Sequence, residues 1–290
     1  MKIKHIFPWL TAITAVAGSL FFLRSEYERD QLVTDFFTIH SPKIKGDGKR
    51  LVFLTDLHDK EFGPDNERLL QAIRDAKPDM VLIGGDMMVA KGIGDLTVSL
   101  RFLRRLSKEF PVICANGNHE LRLRNEKETY GDKYREYRQA LMEMGVTFLS
   151  DRKIAIDQDI DLYGLNLLPE HYKPGYPKMK TGFVEKVLGE PDAETFTLLL
   201  AHSPMFFNEY AEWGADLTLS GHFHGGTIQI PFLGGLMTPQ YQFFFPWYAG
   251  LYEGLQGRKM IVGRGLGTHS INIRFNDKPQ VVVVDIKGKN

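Results

Sequence analysis

The chain has 290 residues, of which 43% are hydrophobic and 25% are charged. This composition is typical of a globular protein, and it excludes a disordered chain, a collagen-like repeat and a membrane protein with several spans. The 36 basic and 36 acidic residues cancel, so no overall charge attracts the chain to nucleic acid. The single cysteine, Cys114, can form neither an intrachain disulfide nor a thiolate metal site.

The first predicted element is an apolar helix near the N-terminus. Residues 6–23 contain no charged side chain, and a helix of this length spans about 27 Å, just enough to cross a hydrocarbon core of about 30 Å. We therefore expect residues 1–30 to form an uncleaved, single-pass anchor in the cell membrane. A signal peptide cleaved near Ala15-Val16-Ala17 and a buried helix are the alternatives. Because Lys2 and Lys4 precede the run, the positive-inside rule places the main domain outside the cytoplasm.

Residues 31–290 are predicted to form one domain, because no repeat or low-complexity linker divides them. Short apolar runs that end in Gly, Asp or Asn predict strands, and two amphipathic stretches predict helices. The order strand, helix, strand predicts parallel pairing in the first half, whereas closer strands with Gly-rich turns predict hairpins later. The predicted strands are Leu51–Thr55, Met80–Ile83, Val112–Ala115, Phe196–Leu200, Leu217–Ser220, Met260–Val262 and Val281–Ile286, and the predicted helices are Asp65–Ala76 and Tyr134–Met144.

Polar side chains follow five of these strands. In α/β sheets, ligand sites form beyond the carboxyl ends of the strands, so these side chains are expected to converge. Nitrogen and oxygen ligands without sulfur suit Mn, Fe, Co, Ni or Zn. There are too many ligands for one tetrahedral ion, which favours two ions that share a bridging carboxylate. Asp-x-His and His-x-His on extended strand ends would each point both side chains to one face. The side chains are Asp56 and His58, Asp86, Asn118 and His119, His202, and His222 and His224.

The ordered motifs Asp-x-His, Gly-Asp, Gly-Asn-His-Glu, His and Gly-His-x-His, between Leu51 and Gly226, resemble those of the calcineurin-like metallophosphoesterase superfamily. The apolar N-terminal run and the segment Gly263-Arg264-Gly265-Leu266-Gly267 resemble its small membrane-associated bacterial branch. The resemblance implies a four-layer α/β/β/α sandwich, preceded here by the transmembrane anchor helix, and a dinuclear metal centre. It assigns Asp56, His58 and His224 to one metal, Asn118, His202 and His222 to the other, Asp86 to both, and His119 to a non-ligand role near the leaving group.

The predicted activity is hydrolysis of a phosphomonoester, a phosphodiester or a pyrophosphate by a hydroxide that bridges the two metals. A nuclease of the same superfamily would need a basic track, whereas Arg101, Arg104 and Arg105 are better interpreted as the solvated face of a helix. A non-catalytic metal-binding membrane protein is least favoured, because His119 is not needed to bind metal. Two roles stay open: Glu120 either orients His119 or lies on the surface, and Arg264 either binds phosphate or forms a structural salt bridge.

The segment Tyr241–Tyr248 holds six aromatic residues and no charge. It is either a core segment or a loop of the kind that favours membrane interfaces, and Pro246 argues against a central strand. The second interpretation predicts a phosphoester substrate with an apolar tail, carried on a lipid. UDP-diacylglucosamine, a substrate of some resembling membrane-associated enzymes, is a specific form of this hypothesis. It conflicts with an outward-facing domain, because nucleotide-linked precursors are cytosolic.

Overall fold

Two six-stranded sheets form the centre of the computed structural model, which describes the backbone of residues 6–268 and 272–289 and the side chains of 14–268 and 272–289. The strands are β1 (Val33–Ser41), β2 (Lys49–Leu54), β3 (Met80–Ile83), β4 (Val112–Cys114), β5 (Thr147–Phe148), β6 (Arg152–Asp157), β7 (Ile160–Leu165), β8 (Phe196–Ala201), β9 (Leu217–Ser220), β10 (Gln229–Ile230), β11 (Gly234–Gly235), β12 (Gly250–Glu253), β13 (Lys259–Val262) and β14 (Gln280–Gly288).

Helices lie between most of these strands. The amphipathic pattern of the second helix buries Leu69, Leu70 and Ile73 and leaves its other face to solvent, as its 3.6-residue periodicity predicts. The helices are α1 (Ile6–Arg29), α2 (Glu67–Ala76), α3 (Thr97–Leu106), α4 (Asn118–Asn125), α5 (Lys127–Tyr130), α6 (Lys133–Glu143), α7 (Phe183–Leu188) and α8 (Phe207–Trp213).

The pairing of the strands is parallel at the centre of both sheets. The first sheet has the order β1-β14-β2-β3-β4-β5 and is parallel except between β14 and β2. The second has the order β12-β13-β9-β8-β7-β6 and is antiparallel only at its two outer pairs. The predicted hairpins of the second half are thus confined to β6–β7, β12–β13 and the small β10–β11 ribbon. The helices α7 and α8 provide crossovers between parallel strands, which a hairpin turn cannot provide.

The core lies on both faces of each sheet. In β2, Leu51 and Phe53 face the second sheet, whereas Val52 and Leu54 pack against the helices on the opposite face. Two buried faces explain why these strands read as continuous apolar runs, and each fully buried side chain of this size contributes roughly 1.5–3 kcal/mol. The outer face of the second sheet packs on α7 and α8. The described residues therefore form helix, sheet, sheet and helix layers.

The structure corrects the expectations about the N-terminus. None of the helices in the described part of the chain offers an apolar stretch long enough to span a lipid bilayer. The predicted transmembrane anchor, and with it the single-pass cell-membrane localisation, is therefore wrong. The helix α1 runs without a break from the uncharged segment into Arg24–Arg29, and its Ser25 and Glu28 are 1% exposed because they pack into the domain. Lys2 and Lys4, on which the predicted orientation depended, lie outside the described residues.

Candidate metal centre

The polar side chains that follow the strands converge where the carboxyl ends of both sheets meet. Asp56 and Asp86 come from the first sheet and His202 from the second, yet His202 Nε2 lies 3.7 Å from Asp56 Oδ1 and 3.2 Å from Asp86 Oδ2. His224 Nε2 lies 3.6 Å from Asp56 Oδ1, and His58 Nε2 lies 3.8 Å from Asp86 Oδ2. Each of these five residues is at most 7% exposed.

A left-handed backbone, rather than an extended one, brings the side chains together. Asp56, His58, Asp86, His222 and His224 all have φ between 46° and 65°. Non-glycine residues rarely adopt this conformation, which costs about 1–3 kcal/mol each and persists where surrounding structure enforces it. The expected alternation along extended strand ends is therefore not the cause of the convergence.

Two glycines allow the loops to approach one another. A Cβ atom on Gly117 would lie 2.2 Å from Asp86 Oδ1, and one on Gly221 would lie 2.3 Å from Asp56 Oδ2. Both distances are far below van der Waals contact. The glycines in Gly-Asn-His-Glu and Gly-His-x-His are thus required by the close approach of backbone to the two carboxylates.

Three groups of side chains place their ligand atoms within 4.8 Å of one another. The first group is Asp56, His58 and His224, and the second is Asp86, His202 and His222. The first group has the same members as the set that the sequence analysis assigned to one metal. The second group has two members of the other set, His202 and His222, together with the shared Asp86. The third group, His58, Asp86 and His119, lies between them and includes the imidazole that was expected not to be a ligand.

The hydrogen-bond partner of Nδ1, the ring nitrogen farther from the carboxylates, shows which histidines can bind metal. Nδ1 of His202 lies 2.8 Å from the carbonyl oxygen of Gly84, and Nδ1 of His224 lies 3.2 Å from that of Gly267. A carbonyl can only accept a hydrogen bond, so Nδ1 carries the proton in both rings. In the neutral ring Nε2 then has the lone pair, which a metal can bind, as in metal-binding histidines of known sites.

His119 has the opposite arrangement. Its Nδ1 accepts a hydrogen bond of 2.8 Å from the backbone N–H of Ala90. The neutral ring therefore carries its proton on Nε2, which lies 4.0 Å from Asp86 Oδ2. A protonated nitrogen cannot bind a metal, but it can donate a hydrogen bond to an anion.

The electrostatics of the cavity suit divalent cations. Burial would lower the pKa of His202, but Asp86 and Asp56 outweigh burial and raise that pKa to about 10. Burial would also raise the pKa of Asp86, but His202 and His119 hold it well below the ordinary value. Asn118 Oδ1 is buried and accepts no hydrogen bond from the described residues. Two buried carboxylates and this orphaned oxygen fit a pair of cations, which would supply the missing charge and the missing partner.

Comparison with known proteins agrees with this geometry. Residues 49–226 match the calcineurin-like phosphoesterase family. The chain belongs to that family. It is 27% identical to an uncharacterised metallophosphoesterase, YkuE, of Bacillus subtilis (strain 168), over 99% of this chain and 97% of the relative. It is also 27% identical to an uncharacterised metallophosphoesterase of Aquifex aeolicus (strain VF5), over 91% and 95%, and 26% identical to the phosphodiesterase YaeI of Escherichia coli (strain K12), over 82% of each chain.

The match covers more than half of the chain, so the protein is a metal-dependent phosphoesterase, and the resemblance inferred from the motifs is confirmed at the level of the superfamily. The family uses a dinuclear metal centre, and the first two groups of side chains could hold its ions. The membrane association that the bacterial branch implied has no support in the described helices.

Glu120 of this phosphoesterase is not the surface carboxylate that was one of the two alternatives considered for it. It is fully buried, and its carboxylate accepts hydrogen bonds from the backbone N–H groups of Asp86, Met87 and Gly117 at 2.8–2.9 Å. Burial and the charge of Asp86 raise its pKa to about 7, although the three N–H donors oppose this shift. Glu120 thus ties two loops of the centre together. Its position three residues after Gly117, at the start of α4, is the sequence signal of a capping glutamate.

Three of the arginines named in the sequence analysis form ion pairs: Arg101, Arg105 and Arg264. Arg264 donates to Asp35 Oδ2 at 2.8 Å, which is the salt bridge considered as the alternative to phosphate binding. On α3 of the phosphoesterase, Arg101 pairs with Glu61 and Asp65. Arg105 pairs with Glu67. Acidic neighbours therefore balance the charges that a nucleic-acid backbone would need.

Proposed function

We propose that this chain is a phosphodiesterase whose two divalent ions are held by the side chains that converge at the strand ends. The observation that carries the proposal is the contrast between the partners of Nδ1: in the neutral rings, His202 and His224 have a lone pair on Nε2, whereas His119 has an Nε2–H donor. The ligand set suits Mn, Fe, Co, Ni or Zn. One ion would be held by Asp56, His58 and His224, the other by Asn118, His202 and His222, and Asp86 would be shared.

The residues of the chain then have distinct tasks. When bound, two divalent ions neutralise the phosphoryl oxygens and make water acidic enough to attack at neutral pH. Asp56 is fixed by the Thr55 hydroxyl, which donates to its Oδ2 at 2.9 Å, and by the N–H of His222. Asp86 is fixed by the N–H of His119 at 2.8 Å. His119 itself points an N–H at the cavity, where it would donate to the oxygen of the leaving group.

The preference for a diester is supported by the relative from Escherichia coli, which is named a phosphodiesterase. The test uses metal-stripped protein supplied with each of the five metals in turn. Bis(p-nitrophenyl) phosphate, p-nitrophenyl phosphate and a pyrophosphate diester are the substrates. We expect activity only with added metal and a higher kcat/KM for the diester. Activity in metal-free protein, or a clear preference for the monoester, would refute the proposal.

We further propose that the diester carries an apolar group. The structure divides the aromatic segment into two kinds of residue. Phe245 and Trp247 pack into the domain, and Trp247 contacts Phe207 with ring centroids 5.5 Å apart. Other aromatic and aliphatic side chains of the same loop are 47–107% exposed, and we call them the apolar rim: Phe232, Leu233, Tyr241, Phe243 and Phe244.

The loop that bears the apolar rim is joined to the metal centre. It follows His222 and His224 directly, and Phe245 packs on Phe223 with ring centroids 5.3 Å apart. Gly226 and Gly235 approach so closely that a Cβ on Gly226 would lie 2.5 Å from Gly235 Cα. An apolar group on the substrate would remove the exposed rim from water, with a gain of roughly 25 cal/mol per Å².

The test of the apolar group compares two aryl phosphodiesters that differ in one alkyl chain. One is methyl p-nitrophenyl phosphate and the other is hexadecyl p-nitrophenyl phosphate. Replacing Phe243 and Phe244 by Ser should raise KM for the hexadecyl ester and leave the methyl ester unchanged. Met142→Ser, which removes an apolar side chain that is 71% exposed on α6, is the control. Equal effects on both esters would assign the rim another role.

A further inference from the structure

A buried ion pair lies behind the metal centre. Arg274 is 1% exposed and Asp277 is fully buried, and Arg274 Nη1 lies 3.2 Å from Asp277 Oδ2. Removing two charges from water costs several kcal/mol per ion, and the cost is offset only where geometry and further hydrogen bonds are good. The sequence analysis did not single out either residue.

Arg274 reaches the metal centre through one carbonyl group. Its Nη2 donates to the carbonyl oxygens of Gly267 and Arg264, both at 2.9 Å. The carbonyl of Gly267 also accepts the Nδ1–H of His224. The guanidinium therefore fixes the acceptor that orients this imidazole and sets its tautomer.

Asp277 touches the same loop from the other side. A Cβ on Gly225 would lie 2.0 Å from Asp277 Oδ1, so the carboxylate lies directly against the backbone that follows His224. Gln229 Nε2 donates to the same oxygen at 2.9 Å. The ion pair thus holds His224 both at its ring and at its backbone.

The last turns of α1 complete this arrangement. The hydroxyl of Ser25 accepts the backbone N–H of Arg274 at 3.0 Å, and Glu28 Oε2 accepts that of Asp277 at 3.3 Å. Arg24 in turn donates to Glu28 Oε1 at 2.8 Å. The contacts of Ser25 and Glu28 with the backbone of Arg274 and Asp277 join parts of the chain that are 249 positions apart.

We propose that the Arg274–Asp277 pair, with the last turns of α1 behind it, is the positioning element of His224. It keeps Nε2 directed at Asp56 and at the ion that these side chains would hold. The inference rests on the proposed function only in taking His224 as a metal ligand. Arg274 and Asp277 are positioning residues, because they act through Gly267 and Gly225.

The test measures Mn²⁺ binding by the full chain, with equilibrium dialysis of metal-stripped protein. The main variant combines Arg274→Met with Asp277→Asn, which leaves no unpaired charge in the interior. We expect wild type to bind two ions and the variant to bind one of them ~10–100-fold more weakly, the usual effect of removing a partner of a metal-binding histidine. His224→Ala should weaken the same ion, and His202→Ala the other one.

Two further variants make the result specific. Arg50→Met removes an arginine that also pairs with a carboxylate, Asp285, at 2.7 Å, but at the start of β2, and both Mn²⁺ affinities should stay as in wild type. Arg274→Lys keeps the charge opposite Asp277, so the variant should fold. One ammonium group cannot replace the guanidinium that bonds Asp277 and the carbonyls of Arg264 and Gly267 together. It should give an intermediate loss for the same ion.

Unchanged Mn²⁺ affinity in both Arg274 variants would overturn the inference, and so would an equal loss at both ions. A wild type that binds fewer than two ions would overturn it as well. If wild type binds two ions but hydrolyses no diester, the proposed function fails while the positioning of His224 stands. If the double variant does not fold, as judged by circular dichroism, the result for Arg274→Lys decides.

Discussion

At the scale of single residues, the chemistry of this centre depends on which atom each side chain turns toward the cavity. His119 and His202 are both buried next to Asp86, but a backbone N–H binds Nδ1 of the first and a backbone carbonyl binds Nδ1 of the second. In the neutral form, the first ring therefore has a donor at Nε2 and the second has a lone pair there. The same residue type therefore serves two tasks, and the neighbours assign them.

The first prediction concerns the donor. His119→Ala should keep both metals and lower kcat by ~10²–10³-fold, the usual loss when one donor to a developing negative charge is removed. The loss should be larger for an alkyl leaving group than for p-nitrophenolate, which needs little stabilisation. Steady-state kinetics and metal analysis measure both effects. His40→Ala, at an exposed histidine of β1, is the control. A loss of metal, or equal losses for both leaving groups, would contradict the donor role.

The second prediction concerns the shared carboxylate. Asp86→Asn keeps an oxygen to accept the N–H of His119 but removes the charge. Metal charge contributes several kcal/mol to the transition state, and about 1.4 kcal/mol is a tenfold change in rate, so diesterase activity should fall at least ~10²-fold. The circular dichroism spectrum should stay that of wild type. Asp95→Asn, an exposed carboxylate beside Thr97, serves as the control. Near-normal turnover with two bound metals would exclude the bridging role.

At the scale of elements, the strands determine where the residues of the centre lie, and the loops after the strands determine where their side chains point. The strands β2, β3, β8 and β9 are regular and buried, and each ends one to four residues before a side chain of the centre. After β2, β3 and β9, the residues of the centre adopt left-handed backbone, which turns their side chains into the cavity. The rigid sheets on both sides hold these strained turns in place, as is common at functional sites.

The third prediction belongs to α1. Glu28→Ala should leave the backbone N–H of Asp277 buried without an acceptor, at a cost of about 1–3 kcal/mol in the free energy of unfolding. Urea titration measures the change. Glu26→Ala, in the same turn but solvent-exposed and paired with Arg29, should change the free energy of unfolding by less than ~0.5 kcal/mol. Similar effects of the two substitutions would show that the last turns of α1 do not stabilise the domain.

At the scale of the whole molecule, the C-terminal strand closes the first sheet. β14 lies between β1 and β2, parallel to one and antiparallel to the other. It thereby connects β1, from the N-terminal part of the described chain, to β2, the strand that precedes Asp56. Across this junction, Arg50 of β2 forms two hydrogen bonds to Asp285 of β14, at 2.7 and 2.9 Å.

The fourth prediction is a dependence of stability on pH. The hydrogen bond from Arg50 holds the pKa of Asp285 below its ordinary value of 3.8. A carboxyl whose pKa is lower in the folded state stabilises the fold above the unfolded pKa, and this contribution is lost as the pH falls through the folded pKa. Asp285→Asn should therefore be less stable than wild type by about 1 kcal/mol near pH 6, with a smaller difference below about pH 4.

Urea titrations at several pH values test this fourth prediction. Asp75→Asn, at an exposed residue of α2 that Gln71 contacts, is the control and should change the free energy of unfolding by less than ~0.5 kcal/mol. A difference between wild type and Asp285→Asn that grows on acidification would contradict the assigned sign.

Local patterns in the sequence were enough to predict most of the central strands and the residues at their ends, although the buried strand β7 was not among them. Met80–Ile83 and Leu217–Ser220 were predicted with the bounds that the structure has, because strands buried on both faces are continuous apolar runs. The strand β1 was missed, since it lies at a sheet edge and alternates between partly buried and exposed residues. The role of each centre residue came from the family resemblance, and the roles of the individual ligands stay a prediction.

Only the tertiary structure decided what depends on partners far apart in the chain. An uncharged run of residues near the N-terminus predicted a membrane anchor. In the structure, the end of α1 instead packs on the domain, because Ser25 and Glu28 accept hydrogen bonds from the backbone of Arg274 and Asp277. The tautomers of His119 and His224 likewise depend on Ala90 and Gly267, which no local pattern connects to them. Periodicity reports how a segment is buried, but a hydrogen bond between distant segments exists only once the chain has folded.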